Sequence, residues 1–169
     1  MRLYLVRHGE AKPKSEDPDR HLTKAGAADV QRVAAFLKGL GLEVDAIWHS
    51  PKTRARETAE ILAQAVAAEE GLVEHSGLAP NDPVGPICKR VEAGSRRLMI
   101  VGHLPHLEKL AAALVLGDEQ AKALAFPTAA VACLLRKDEG GWLLEWLVTP
   151  DILPQQPRHR SRRKSGRTR

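Results

Sequence analysis

Three apolar runs with strand character, Leu3–Val6, Ala46–His49 and Leu98–Val101, each break off into a polar segment that opens a loop or a helical pattern. Between them, apolar residues recur at helical spacing, for example Ala27, Val30, Val33, Ala34 and Leu37. Strands alternating with helices predict an α/β fold in three layers, a mostly parallel central sheet with helices on both faces. In such folds ligand sites gather at the carboxyl ends of the strands. The residues at those ends are Arg7-His8-Gly9-Glu10-Ala11, Ser50-Pro51-Lys52-Thr53-Arg54-Ala55 and Val101-Gly102-His103-Leu104-Pro105.

The pattern resolves further. A first strand over about 2–7 leads into a polar loop, Lys12 to Arg20. Thr23 is the natural N-cap of a helix that Gly39 and Gly41 end. A strand over 45–49 follows. Ser50 then caps a helix with Pro51 at its first position, reaching about Ala68. A short strand over 72–75, a helix over 83–94, a buried strand over 97–101 and a helix over 104–116 complete the alternation. At the end, 129–135 and 142–148 flank Lys137-Asp138-Glu139-Gly140-Gly141, which predicts a hairpin and an antiparallel pair at one end of the sheet.

A chain of 169 residues is large enough for one domain with a substantial core. The formal charge of +5 misleads, because seven of the 26 basic residues and no acid lie from Gln155 onward. That leaves 19 basic against 21 acidic residues in the body. The division expected is a domain over 1–154 and a basic, disordered tail over 155–169. Contact with nucleic acid is expected only through that tail. Cys88 and Cys133 lie far apart and suit a reduced, cytoplasmic setting as core or surface fillers. No stretch approaches the roughly 20 apolar residues of a membrane span, and the start does not read as a signal peptide. No membrane contact is expected, and a monomer is favoured.

The strand-end residues suit phosphoryl chemistry. Arginine forks match phosphate oxygens bidentately and stay charged. A neutral imidazole can attack phosphorus, and nearby positive charge keeps it neutral. Arg7 and Arg54 are the candidate clamps, His8 the candidate nucleophile, and His103 a group able to face the same crevice. Gly9 allows a sharp turn and close backbone approach, Ser50 opens a helix whose N-terminus favours an anion, and Arg20 is a further candidate for substrate. Arg20 could instead form a loop ion pair, and Arg54 could pair with Glu57 or Glu60 along its helix. His21, His49, His75 and His106 read as surface or structural. No cofactor is expected, and no metal, since the arginines would repel a cation.

These ordered motifs, together with Arg20-His21-Leu22-Thr23, Gly26 and Glu57-Thr58-Ala59, make the chain resemble the histidine phosphatase superfamily, and within it the SixA-type phosphohistidine phosphatases. The resemblance covers about 1–153 and implies a phosphoglycerate mutase-like fold. It further implies His8 as the phosphorylated nucleophile, Arg7 and Arg54 as phosphoryl ligands, and His103 completing the pocket. One departure stands out. Many members carry a glutamate general acid in mid-chain, where this chain reads Gly77-Leu78-Ala79-Pro80-Asn81-Asp82. Asp82, Glu10 and Asp17 are the substitutes available. The long insertions that lid sugar-phosphate mutases are also absent. Both features point to an open site acting on phosphohistidine in a protein, because imidazole leaves phosphorus more readily than an alkoxide does. The alternatives are a phosphatase of a small phosphate ester or nucleotide, and a binding module for phosphorylated partners without turnover. Intact Arg7, His8, Arg54 and His103 argue against the last.

Overall fold

The computed structural model describes residues 1–122 and 124–155. Eight strands and four helices follow in the order β1 (Arg2–Arg7), α1 (Lys24–Gly39), β2 (Glu43–Val44), β3 (Ala46–His49), α2 (Thr53–Leu62), β4 (Ala67–Ala68), β5 (Leu72–Glu74), α3 (Gly85–Ala93), β6 (Leu98–Gly102), α4 (His106–Leu116), β7 (Val131–Arg136) and β8 (Trp142–Val148). A 3-10 turn at Pro150–Ile152 closes the described chain. The central sheet runs β5-β3-β6-β1-β7-β8. Its first four strands are parallel, and β7 and β8 add the antiparallel pair expected from the hairpin signature.

Alternation along the strands builds the three layers. Leu3, Leu5, Leu98 and Ile100 face one side and pack with Ile87 and Val91 of α3 and Leu107, Leu110 and Leu114 of α4. Tyr4, Val6, Met99 and Val101 face the other, against Val30, Val33 and Leu37 of α1 and Ala55, Ala59 and Leu62 of α2. The central strands β1 and β6 are buried on both faces, which is why they read as unbroken apolar runs rather than as alternating ones.

Local signals succeed where tertiary contacts agree with them. Thr23 caps α1, its hydroxyl accepting the Gly26 amide at 2.9 Å. Ser50 does not cap α2. The N-cap there is Lys52 with no side-chain bond; Ser50 Oγ lies 2.8 Å from the His103 ring and accepts only a long bond, 3.4 Å, from the Lys52 amide. The same helix ends at Leu62 rather than near Ala68, since Ala67–Ala68 pairs with Glu43–Val44 as a small parallel ladder. Both cysteines are free; burial of the Cys88 and Cys133 thiols pushes them up to about 11 and about 12. Among the described residues no helix is long and apolar enough to cross a membrane. The basic segment expected over 155–169 lies, apart from Gln155, outside the described residues.

Candidate active site

The sheet register assembles the site. In the β1–β6 ladder Arg7 stands opposite Gly102, and in the β3–β6 ladder His49 stands opposite Val101. The next residue of each strand therefore leaves the sheet at the same level, bringing His8, Ser50 and His103 together. The His8 amide donates to the Gly102 carbonyl at 3.0 Å and the Ser50 amide to the Val101 carbonyl at 3.1 Å. The His8 and His103 rings lie 4.9 Å apart between centroids, inclined at 55°. Arg54 reaches in from the first turn of α2.

His8 is held in one protonation state. Its Nδ1 is 2.6 Å from the Gly9 carbonyl oxygen, which can only accept, so Nδ1 carries the hydrogen. Its Nε2 accepts from the Arg54 Nε–H at 3.2 Å, so that nitrogen keeps a lone pair. The ring is 8% exposed, and burial, with help from Arg54, Arg7 and Arg20, pushes its pKa down to about 4. The imidazole is thus neutral at physiological pH with Nε2 turned toward the Arg54 guanidinium.

His103 is more deeply buried, at 1% exposure. Its Nε2 is 2.8 Å from Ser50 Oγ, while its Nδ1 has no partner among the described residues. Burial, and then His8 and Arg54, lower its pKa to about 2. Arg7 donates from Nη1 to the Phe126 carbonyl at 2.6 Å, leaving its buried Nε unpaired. Buried donors and acceptors without partners are rare, and here two of them belong to groups suited to phosphoryl oxygens. Burial lowers the pKa of both Arg7 and Arg54, yet arginine remains a cation in either position. Arg54 pairs with neither carboxylate proposed for it. Glu57 accepts from the Leu22 amide at 2.8 Å, and Glu60 lies 3.7 Å from Arg56.

The supporting residues explain the positions of these groups. Thr58 donates its hydroxyl to the Arg54 carbonyl at 2.7 Å and accepts the Gly9 amide at 3.0 Å, tying α2 to the loop that carries His8. Sequence reasoning placed Thr58 only within a motif, because a hydroxyl one helical turn after Arg54 carries no signal of its own. Gly9 offers its carbonyl to His8 and its amide to Thr58, so it positions the imidazole and has no free amide for a ligand. A Cβ at Gly9 would stand 2.8 Å from Val30 Cγ2, and one at Gly26 would stand 2.1 Å from the Glu10 carbonyl oxygen. Both glycines are required by the close approach of this loop to α1.

The three carboxylates named as substitute acids are each hydrogen-bonded to groups other than His8 and His103. Glu10 accepts the Thr23 hydroxyl at 2.8 Å at the start of α1. Asp82 accepts the Ala79 amide at 2.8 Å within its own turn. Asp17 is 2.8 Å from His21 Nδ1 and also accepts the Asp19 amide; these bonds, the His21 one foremost, lower its pKa to about 2. A carboxyl that stays ionised down to such pH cannot donate a proton near neutrality, which removes Asp17 as an acid. Arg20, expected in a loop ion pair or on substrate, makes no ion pair among the described residues. It donates from Nε to the Lys12 carbonyl at 3.1 Å, with its backbone at a left-handed φ of 55°. Among the described residues no group of three or more His, Cys, Asp or Glu is arranged to hold a metal ion.

A mostly parallel sheet with two strand-end histidines, a buried Arg54 and a half-buried Arg7 forms a site suited to phosphoryl chemistry. The family model of the histidine phosphatase superfamily (branch 1) matches residues 3–79. An uncharacterized protein of Picosynechococcus is 40% identical over 125 residues, 70% of this chain and 75% of that relative. The phosphohistidine phosphatase SixA of Escherichia coli is 26% identical over 155 residues, covering 89% of this chain and 94% of that protein. A solved structure of the protein histidine phosphatase SixA complexed with tungstate superposes with a TM-score of 0.79 at 26% identity, over 89% of this chain and 98% of that one. The chain belongs to the histidine phosphatase superfamily.

Proposed function

We propose that the protein hydrolyses phosphohistidine in a partner protein through a covalent phospho-His8 intermediate. The observation that carries this reading is the state of His8: neutral, protonated on Nδ1 and presenting Nε2 to the Arg54 guanidinium. In the first half-reaction Nε2 attacks phosphorus and the bond from phosphorus to the substrate ring nitrogen breaks, the electron pair leaving with a ring protonated on its other nitrogen, which departs as neutral imidazole. In the second, water attacks phospho-His8, orthophosphate departs and the imidazole is restored. Such transfer depends mainly on positioning and charge neutralisation, which Arg7 and Arg54 supply, while His103 and Ser50 close the pocket. The SixA relative whose structure is a complex with tungstate, a tetrahedral oxyanion, supports the reading that this fold takes an oxyanion.

The carboxylates support this choice of substrate class. Glu10, Asp17 and Asp82 are each hydrogen-bonded to groups other than His8, which argues against their protonating an alkoxide there. A phosphohistidine ring can take up a proton on its free nitrogen near neutral pH and then leaves as neutral imidazole, so it needs less help from an acid in the site. The test is a matched rate comparison between a phosphohistidine protein and serine or alkyl phosphate esters. The reading requires kcat/KM for phosphohistidine to exceed the alkyl esters by orders of magnitude. Equal or reversed rates would replace it with a small-ester phosphatase.

A further inference from the structure

Next to His8 the surface is more basic than one phosphoryl group requires. Lys14, Arg20, Lys52 and Arg54 line an open groove of about 380 Å³ between the first loop and the start of α2, with Thr53 and Asp19 also in its wall. That volume falls in the range of small-ligand clefts. None of the four cations has an ion-pair partner among the described residues, whereas Arg2, Arg96 and Arg97 are each paired with carboxylates. The contrast is sharper because the body carries more acids than bases, 21 against 19. Arg54 belongs to both places, its Nε on His8 Nε2 and its side chain in the groove wall. Arg20 is fixed there by its bond to the Lys12 carbonyl.

We propose that this groove is a second anion subsite, holding a negatively charged group of the substrate beyond the phosphoryl group being transferred. The ligand chemistry is a carboxylate of an acidic protein segment or a further phosphate, either of which four closely set cations would attract. The proposal rests on the reading that His8 and the arginines receive a phosphoryl group. It adds that Lys14, Lys52 and Arg20 select what accompanies it.

The test measures binding rather than turnover, so it stands apart from the hydrolytic reading. Stable ligands come in pairs: methylphosphonate against methylenebisphosphonate, and a peptide with a non-hydrolysable phosphohistidine analogue flanked by Asp and Glu against the same peptide flanked by Ala. Wild-type protein should prefer the second-anion member of at least one pair by roughly tenfold, the sum expected for two exposed lysine contacts. The preferred pair identifies the source, phosphate or carboxylate. In the Lys14→Gln/Lys52→Gln double variant that ratio should collapse toward one, and in the wild type it should shrink as salt rises. Absence of a preference in both pairs, or a preference that survives the double substitution, would overturn the subsite. A preference retained by a protein that hydrolyses no phosphate would instead uphold the subsite and refute the proposed reaction.

Discussion

Acidification is the perturbation whose effect follows most directly from the buried imidazoles. His8 titrates in the folded protein at about 4 and His103 at about 2, against an ordinary value of 6.5. A histidine held neutral by folding takes up its proton first in the unfolded chain, so the unfolded state binds more protons between these values. Stability therefore rises with pH in that window, is complete above about 6.5, and is lost as pH falls. For His8 alone, moving from pH 7 to pH 5 costs about 2 kcal/mol, and His103 adds a similar amount, so together they remove about 3–4 kcal/mol. The assay is urea unfolding at both pH values in wild type and in His8→Asn. Wild type should lose those few kcal/mol, and the substitution should abolish about half of the loss. The same loss in both proteins would show that His8 is not held neutral by its surroundings.

Four further outcomes follow from the geometry. Arg54→Ala and Arg7→Ala should each lower kcat/KM by about 10²-fold or more, as for other groups that stabilise transferred charge, while circular dichroism stays native. Thr58→Val deletes the hydroxyl shared by the Gly9 amide and the Arg54 carbonyl. It should cost about 1–3 kcal/mol in denaturant titration, because a buried amide loses its acceptor. Gly26→Ala places a methyl 2.1 Å from the Glu10 carbonyl oxygen and should cost about 1–3 kcal/mol or prevent folding, read from the melting temperature. Thr23→Ala removes the α1 cap and should cost only about 1 kcal/mol.

How far these features were legible depends on which interactions fix them. Arg7, His8 and His103 could be placed from sequence because each directly ends an apolar run, and parallel register brings those ends to one level. Arg54 followed from its position one turn into a helix. The state of His8 was legible only in outline, since the Gly9 carbonyl that fixes its tautomer is a backbone atom with no residue code. Ser50 was misread because its capping preference is local, whereas its contact with His103 joins β3 and β6 across 53 residues. The early end of α2 was hidden for a related reason: alanines at 63, 65, 67 and 68 favour helix, yet a parallel ladder with Glu43–Val44 claims the last two. Neither Asp17 nor Glu10 could be dismissed from spacing alone. The Asp17–His21 bond depends on how the loop turns over four residues, and Glu10 meets Thr23 only once the loop folds back on the start of α1.

The central claim is that His8 becomes phosphorylated, and rapid quenching with a ³²P-labelled phosphoryl donor addresses it most directly. Wild-type protein mixed briefly with the donor should carry a base-stable, acid-labile label, mapped by peptide analysis to His8 and lost on further incubation. His8→Ala should take up none and turn over no substrate while keeping its fold. A label on another residue, or turnover by His8→Ala at the wild-type rate, would contradict the account.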